Sequence, residues 1–182
     1  MFAAFASPAF AQLATAGQDF VDAVKKSDGD KVTKLLVDHP DGLFDAKDSD
    51  GNTGLIIALA RRDEDWTGFL INKGASVNLA GQGGNTPLIT ASRVGFEDAI
   101  GWLLAAGAKV DATNKMGETA LIAAVQAHQP HVIRMLLQAG ADPDRTDSAQ
   151  GYSARDYATR DPRARDILAM MPAKKPKPAA AR

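Results

Sequence analysis

Gly84-Asn85-Thr86-Pro87-Leu88 has two counterparts in this chain, Gly51-Asn52-Thr53-Gly54-Leu55 and Gly117-Glu118-Thr119-Ala120-Leu121, each displaced by 33 residues. Every copy continues in the same frame. An alanine follows three residues after the Leu (Ala58, Ala91, Ala124), then an apolar pair (Leu70/Ile71, Leu103/Leu104, Leu136/Leu137), then Gly-Ala (Gly74-Ala75, Gly107-Ala108, Gly140-Ala141). A gapless period of this length predicts a stacked array in which each unit buries its apolar face only against its neighbours. Function is then expected on a surface.

Local chemistry predicts what each unit contains. Thr86-Pro87 suits a helix start, because the hydroxyl can cap free N–H groups and proline at the first helical position loses no hydrogen bond. Thr53 and Thr119 keep the cap while Gly54 and Ala120 replace the proline. Gly74, Gly107 and Gly140 fall where a second helix should close in a left-handed residue. The alanines at 58, 91 and 124 predict close passage of two helices.

Two degraded units flank these three. Phe20, Ala23, Leu35 and Leu36 reproduce the spacing of Leu88, Ala91, Leu103 and Leu104, which predicts a helix pair before the longer turn His39-Pro40-Asp41-Gly42. Gly151-Tyr152-Ser153-Ala154 lies 34 residues after Gly117, so one extra residue is expected in the loop 146–150. Arg155 and Asp156 replace Leu121 and Ile122 there, the polar substitution expected of a capping unit.

The period of 33, Thr-Pro-Leu, the spaced alanine and Gly-Ala together resemble the ankyrin repeat, a β-turn finger followed by two antiparallel helices. The resemblance covers roughly residues 18 to 171 and implies an all-α solenoid of about five helix-turn-helix units, at 18–47, 48–80, 81–113, 114–147 and 148–171. The family usually places His after the Thr-Pro-Leu leucine. Ile56, Ile89 and Ile122 stand there instead, so apolar burial at about 25 cal/mol per Å2 should replace a hydrogen-bonded ladder.

Composition excludes several function classes. The 182 residues carry 21 Lys and Arg against 22 Asp and Glu, a net charge of −1 that gives no electrostatic reason to expect nucleic acid. There is no cysteine, hence no disulfide, thiolate metal site or cysteine nucleophile. No apolar run is long enough to span a membrane.

The ends read differently. Residues 1–17 are an apolar, alanine-rich leader whose Ala9-Phe10-Ala11 before Gln12 matches a small-x-small cleavage pattern. The expectation is a bacterial export signal whose start lies upstream, with the mature protein beginning at Gln12 in the periplasm rather than the cytoplasm. Residues 172–182, with Lys174, Lys175 and Lys177 among prolines and alanines, are expected to be a disordered basic tail suited to weak contact with anionic surfaces. An envelope-tethered structural role is the alternative that this tail supports.

Catalytic and metal signatures do not assemble. His128 and His131 are three apart, but the frame puts His128 in the bend before Pro130, and two imidazoles are too few for a closed zinc site. His39 reads as a loop residue. Gly81-Gln82-Gly83-Gly84 lacks the Lys-Ser or Lys-Thr of a phosphate loop and reads as a flexible finger. Asp45 to Asp50 lack the glutamate-terminated loop of a calcium hand. No Ser-His-Asp arrangement is credible. The expectation is no enzymatic activity, no metal and no cofactor.

What the resemblance implies is binding of a protein partner, by a monomer acting as adaptor, scaffold or inhibitor. In this family the concave face formed by fingers and first helices contacts partners. Carried over residue by residue, that face comprises Ser49, Asp50 and Asn52 in the first complete unit, Gln82 and Asn85 in the second, and Lys115, Met116 and Glu118 in the third. Arg61, Arg93 and Gln126 follow late in the first helices. All are read as positions that the frame does not need, with Arg61 and Arg93 as anchors.

Overall fold

A computed structural model describes residues 8–39 and 43–174. Their order is α1 (Pro8–Lys25), α2 (Gly29–Asp38), α3 (Gly54–Ala60), α4 (Glu64–Asn72), α5 (Pro87–Val94), α6 (Glu97–Ala105), α7 (Ala120–Gln126), α8 (Pro130–Gln138), α9 (Ala154–Arg160) and α10 (Arg165–Met170). Short 3-10 turns occupy Gln82–Gly84 and Pro162–Ala164. No strand occurs among the described residues, where Lys47–Thr53, Thr113–Thr119 and Thr146–Ser153 form isolated antiparallel bridges.

The helices pair by unit, and first helices stack on first helices in the order α1, α3, α5, α7, α9, while α4, α6, α8 and α10 form a second layer. One continuous apolar seam runs between the layers, from Phe20 and Leu55 through Leu88 and Leu103 to Leu121, Ile133 and Ile167. Ile56, Ile89 and Ile122 are buried within these junctions, as the missing histidine predicted. Ala58, Ala91 and Ala124 are each at most 1% exposed, because the first helices pass closely there.

The first helices of the three complete units, α3, α5 and α7, open on their expected caps. The Thr53, Thr86 and Thr119 hydroxyls accept from the N–H groups of Ile56, Ile89 and Ile122 at 3.3, 3.2 and 3.2 Å. In the last unit the Ser153 hydroxyl accepts from the Asp156 N–H while the Asp156 carboxylate accepts from the Ser153 N–H, a reciprocal capping box. This explains the polar residue at a position that holds Ile122 one unit earlier. Its neighbour Arg155 donates to Asp144 at 2.8 Å and to the Pro172 carbonyl at 2.6 Å, closing the end of the stack.

Three findings refine the sequence reading. Helix α1 runs through the boundary expected after residue 17, with Ala16 and Gly17 already buried against the stack. The Gly81–Gly84 finger, expected to be flexible, is held by the Lys115 N–H donating to the Gly83 carbonyl at 3.0 Å. The beginning of the tail is fixed through Pro172. Residues 1–7, Pro40 to Gly42 in the longer turn, and the tail from Lys175 onward lie outside the described residues.

Candidate interaction face

A side chain near the base of three of the fingers builds its turn. The Asp48 Oδ1 accepts from the N–H groups of Asp50 and Asn52 at 2.9 and 2.8 Å, and Oδ2 meets the Lys25 ammonium at 2.9 Å. Burial by itself would push this carboxyl up, but the Lys25 hydrogen bond and the two N–H donors outweigh it and hold Asp48 below its ordinary value. Asn114 repeats the pattern, its Oδ1 accepting from Met116 and Glu118. Asp147 absorbs the extra residue of its loop by accepting from three N–H groups, those of Ala149, Gln150 and Gly151, at 3.1, 2.8 and 3.0 Å.

The same position in the remaining finger is Gly81. A Cβ there would lie 2.6 Å from the Asn52 Oδ1 and 2.7 Å from the Ile56 Cδ1, so a side chain is excluded and Asn52 accepts from the Gln82 N–H instead, at 3.0 Å. These turn-building residues were missed in the sequence reading. Their signal was present: Asp48, Gly81 and Asn114 recur at the 33-residue period, three positions before each finger glycine.

The structure separates the expected face residues into two groups. Ser49, Asp50, Gln82, Lys115 and Gln126 are exposed, and Met116 at 56% is among the few exposed large apolar side chains of the described residues. The others also make hydrogen bonds within the frame. Arg61 donates to the Lys25 carbonyl at 2.8 Å, to the Val24 carbonyl at 3.4 Å and to the Ser27 hydroxyl at 3.0 Å, satisfying the open end of α1. Asn52 orders the neighbouring finger, as above. Asn85 accepts from Asn114 at 3.0 Å and donates to the Gln82 carbonyl. Glu118 is buried and receives Arg93 at 2.6 Å and Asn114 at 2.7 Å. Arg61 is thus engaged by the frame while 42% of its side chain stays exposed.

Four expected residues converge. Arg93, Met116, Glu118 and Gln126 line one cleft of about 270 Å3, together with Asp147 and Tyr157. The Tyr157 hydroxyl donates to the Asp147 Oδ2 at 2.6 Å. Burial and that hydrogen bond push the hydroxyl up to about 12, while Asp147, which burial alone would raise, is lowered by the phenol and the turn N–H donors.

A second cleft of about 540 Å3 adjoins it, sharing Gln126 and Tyr157 as walls and adding His128, Arg160, Asp161 and Arg163. Arg163 holds the Asp161 carboxyl at about 2, through its guanidinium first and its N–H second. The His128 Nε2 sits 2.9 Å from the Asp161 Oδ2 and 3.1 Å from the Arg163 Nη2, in a bend where His128 has φ 52°. His131 lies exposed in α8. Among the described residues no group of three or more His, Asp or Glu is placed to hold a metal ion, and no helix is long and apolar enough to cross a membrane.

The model of a family described as ankyrin repeats (3 copies) matches residues 20–114 and 69–147, overlapping stretches that together cover more than half of the chain. The comparison with curated proteins finds no match.

Proposed function

The chain belongs to the ankyrin repeat family, and from that premise we propose that it is a non-catalytic module that binds one protein partner through its finger and first-helix face, as adaptor, scaffold or inhibitor. The observation that carries this reading is the convergence of Arg93, Met116, Glu118 and Gln126 on one cleft outside the apolar seam. The seam itself is closed by packing, which leaves the exterior for recognition. Met116 supplies an adaptable apolar contact at the finger tip, and polar groups surround it. Such a face can reach the roughly 800 Å2 per partner of a standard interface. The Ala9-Phe10-Ala11 pattern supports a periplasmic location, and mass spectrometry of the native protein tests it: a cytosolic form retaining Met1 overturns that placement.

Affinity capture from the source cells, comparing wild type with a Lys115→Glu, Met116→Asp, Gln126→Arg variant, tests the face. A partner recovered with wild type and lost with the variant is the expected result. Equal recovery overturns the assignment. All three residues are exposed, so a fold defect is not built into the comparison.

A further inference from the structure

Resting on the reading above, we propose that the binding centre of this face is the double cleft divided by Gln126 and Tyr157, and that its occupant is an extended protein segment carrying a lysine or arginine side chain and, a few residues away, a carboxylate. The two halves of the cleft differ in charge polarity, and the groups that carry it are immobilised.

On the finger side the walls hold two carboxylates, Glu118 and Asp147, against one guanidinium, Arg93. The Glu118 Oε2 takes the hydrogen bonds from Arg93 and Asn114, which fixes this carboxylate in the cleft wall. A cationic side chain entering there finds a carboxylate whose side chain is only 7% exposed, where water competes weakly. On the other side of Gln126 and Tyr157 the sign reverses: Arg160 and Arg163 stand against the single carboxylate Asp161.

These cations are already oriented. The Arg160 guanidinium lies 3.9 Å over the Tyr152 ring, and Arg163 grips Asp161 through Nε at 3.2 Å and Nη2 at 3.1 Å. Groups held in advance lose little freedom when a ligand arrives, so they favour a specific partner over diffuse contact. A polyphosphate or an anionic lipid surface would meet Arg160 and Arg163 but be repelled by Glu118 and Asp147. A peptide can present both signs in order, matching the polarity across the shared wall.

The test is a display library of random linear peptides, panned against the full-length protein. A selected peptide is then titrated by calorimetry into wild type, Arg163→Glu, Gln126→Trp and Met116→Asp. Arg163 has 78% of its side chain exposed, Gln126 and Met116 are exposed, and circular dichroism melting curves check that every variant stays folded at the assay temperature. Selected peptides are expected to pair a basic with an acidic side chain. Affinity should fall about tenfold or more in each variant, and a peptide whose acid is replaced by lysine should regain it on Arg163→Glu. A library that yields no binder, or binders without paired charges, overturns the proposal. Binders weakened by Met116→Asp but indifferent to Arg163→Glu and Gln126→Trp overturn the cleft while leaving the face. Binders indifferent to all three variants overturn both readings.

Discussion

Arg93 and Glu118, 25 residues apart in sequence, meet at 2.6 Å between consecutive units, and their burial is unequal: the arginine side chain is 44% exposed and the glutamate 7%. Removing one partner is therefore not equivalent to removing the other. Arg93→Ala leaves the mostly buried Glu118 carboxylate without its counter-charge, held only by Asn114, and should cost about 1–3 kcal/mol. Glu118→Ala frees an arginine that water already reaches and leaves the Asn114 amide its bond to Asn85, and should cost less, about 1 kcal/mol. Urea unfolding of both variants checks the asymmetry, and equal losses would contradict it.

The fingers are packed closely on one another only in part of the array. Gly117 has φ 75°, and a Cβ there would lie 2.6 Å from the Ser148 N of the next finger, whereas Gly51 at φ 85° has nothing within 4 Å of that position. Gly51→Ala should cost only the left-handed strain of about 1–2 kcal/mol. Gly117→Ala should cost more, because the Ser148 N–H donates to the Met116 carbonyl at 2.8 Å and the backbone must move to admit the methyl. Thermal unfolding of the pair reports the difference as the contribution of finger stacking.

Tyr157 and Asp147 make the pH dependence readable at the alkaline end. The phenol is raised from 10.0 to about 12, so its contribution is fully present below pH 10 and is lost as pH rises through 12. The melting temperature of wild type should exceed that of Tyr157→Phe by a constant margin up to pH 10, and the two should converge by pH 12. The acid limb has the opposite sign. Asp48, Asp147 and Asp156 are held below 3.8, so the stability they supply is present above that value and fades as pH falls beneath it. Asp147→Asn should flatten that limb.

Adjacent positions on α5 give opposite expectations. Ala91 is fully buried where α5 passes α3 and α7, and Ala91→Phe should overpack the junction by about 1–3 kcal/mol. Ser92 is equally buried, occupies the frame position of Leu59 and Val125, and its hydroxyl has no partner. Ser92→Ala should therefore be neutral or stabilising by up to about 1 kcal/mol. Chemical denaturation of each single variant decides between a tight junction and a tolerant one.

The candidate face was only half legible beforehand. Its exposed members, from Ser49 to Gln126, could be placed because the 33-residue frame assigns each to a finger or a late first-helix position. That Arg61 caps α1 while Arg93 closes on Glu118 could not, since both read only as arginines late in a first helix. What differs is the neighbour: open carbonyls and Ser27 in one unit, a glutamate and Asn114 in the other.

Repetition alone therefore determined the solenoid, its helix pairs, their threonine caps and the isoleucine seam, because each depends on contacts within a unit or with the next copy of the same frame. The double cleft at Gln126 and Tyr157 was decided only by tertiary structure. It exists where a regular unit meets the irregular closing one, and its walls come from side chains up to several dozen residues apart whose positions depend on an extra loop residue and a 3-10 turn. A periodic frame carries no information about where the period fails in space.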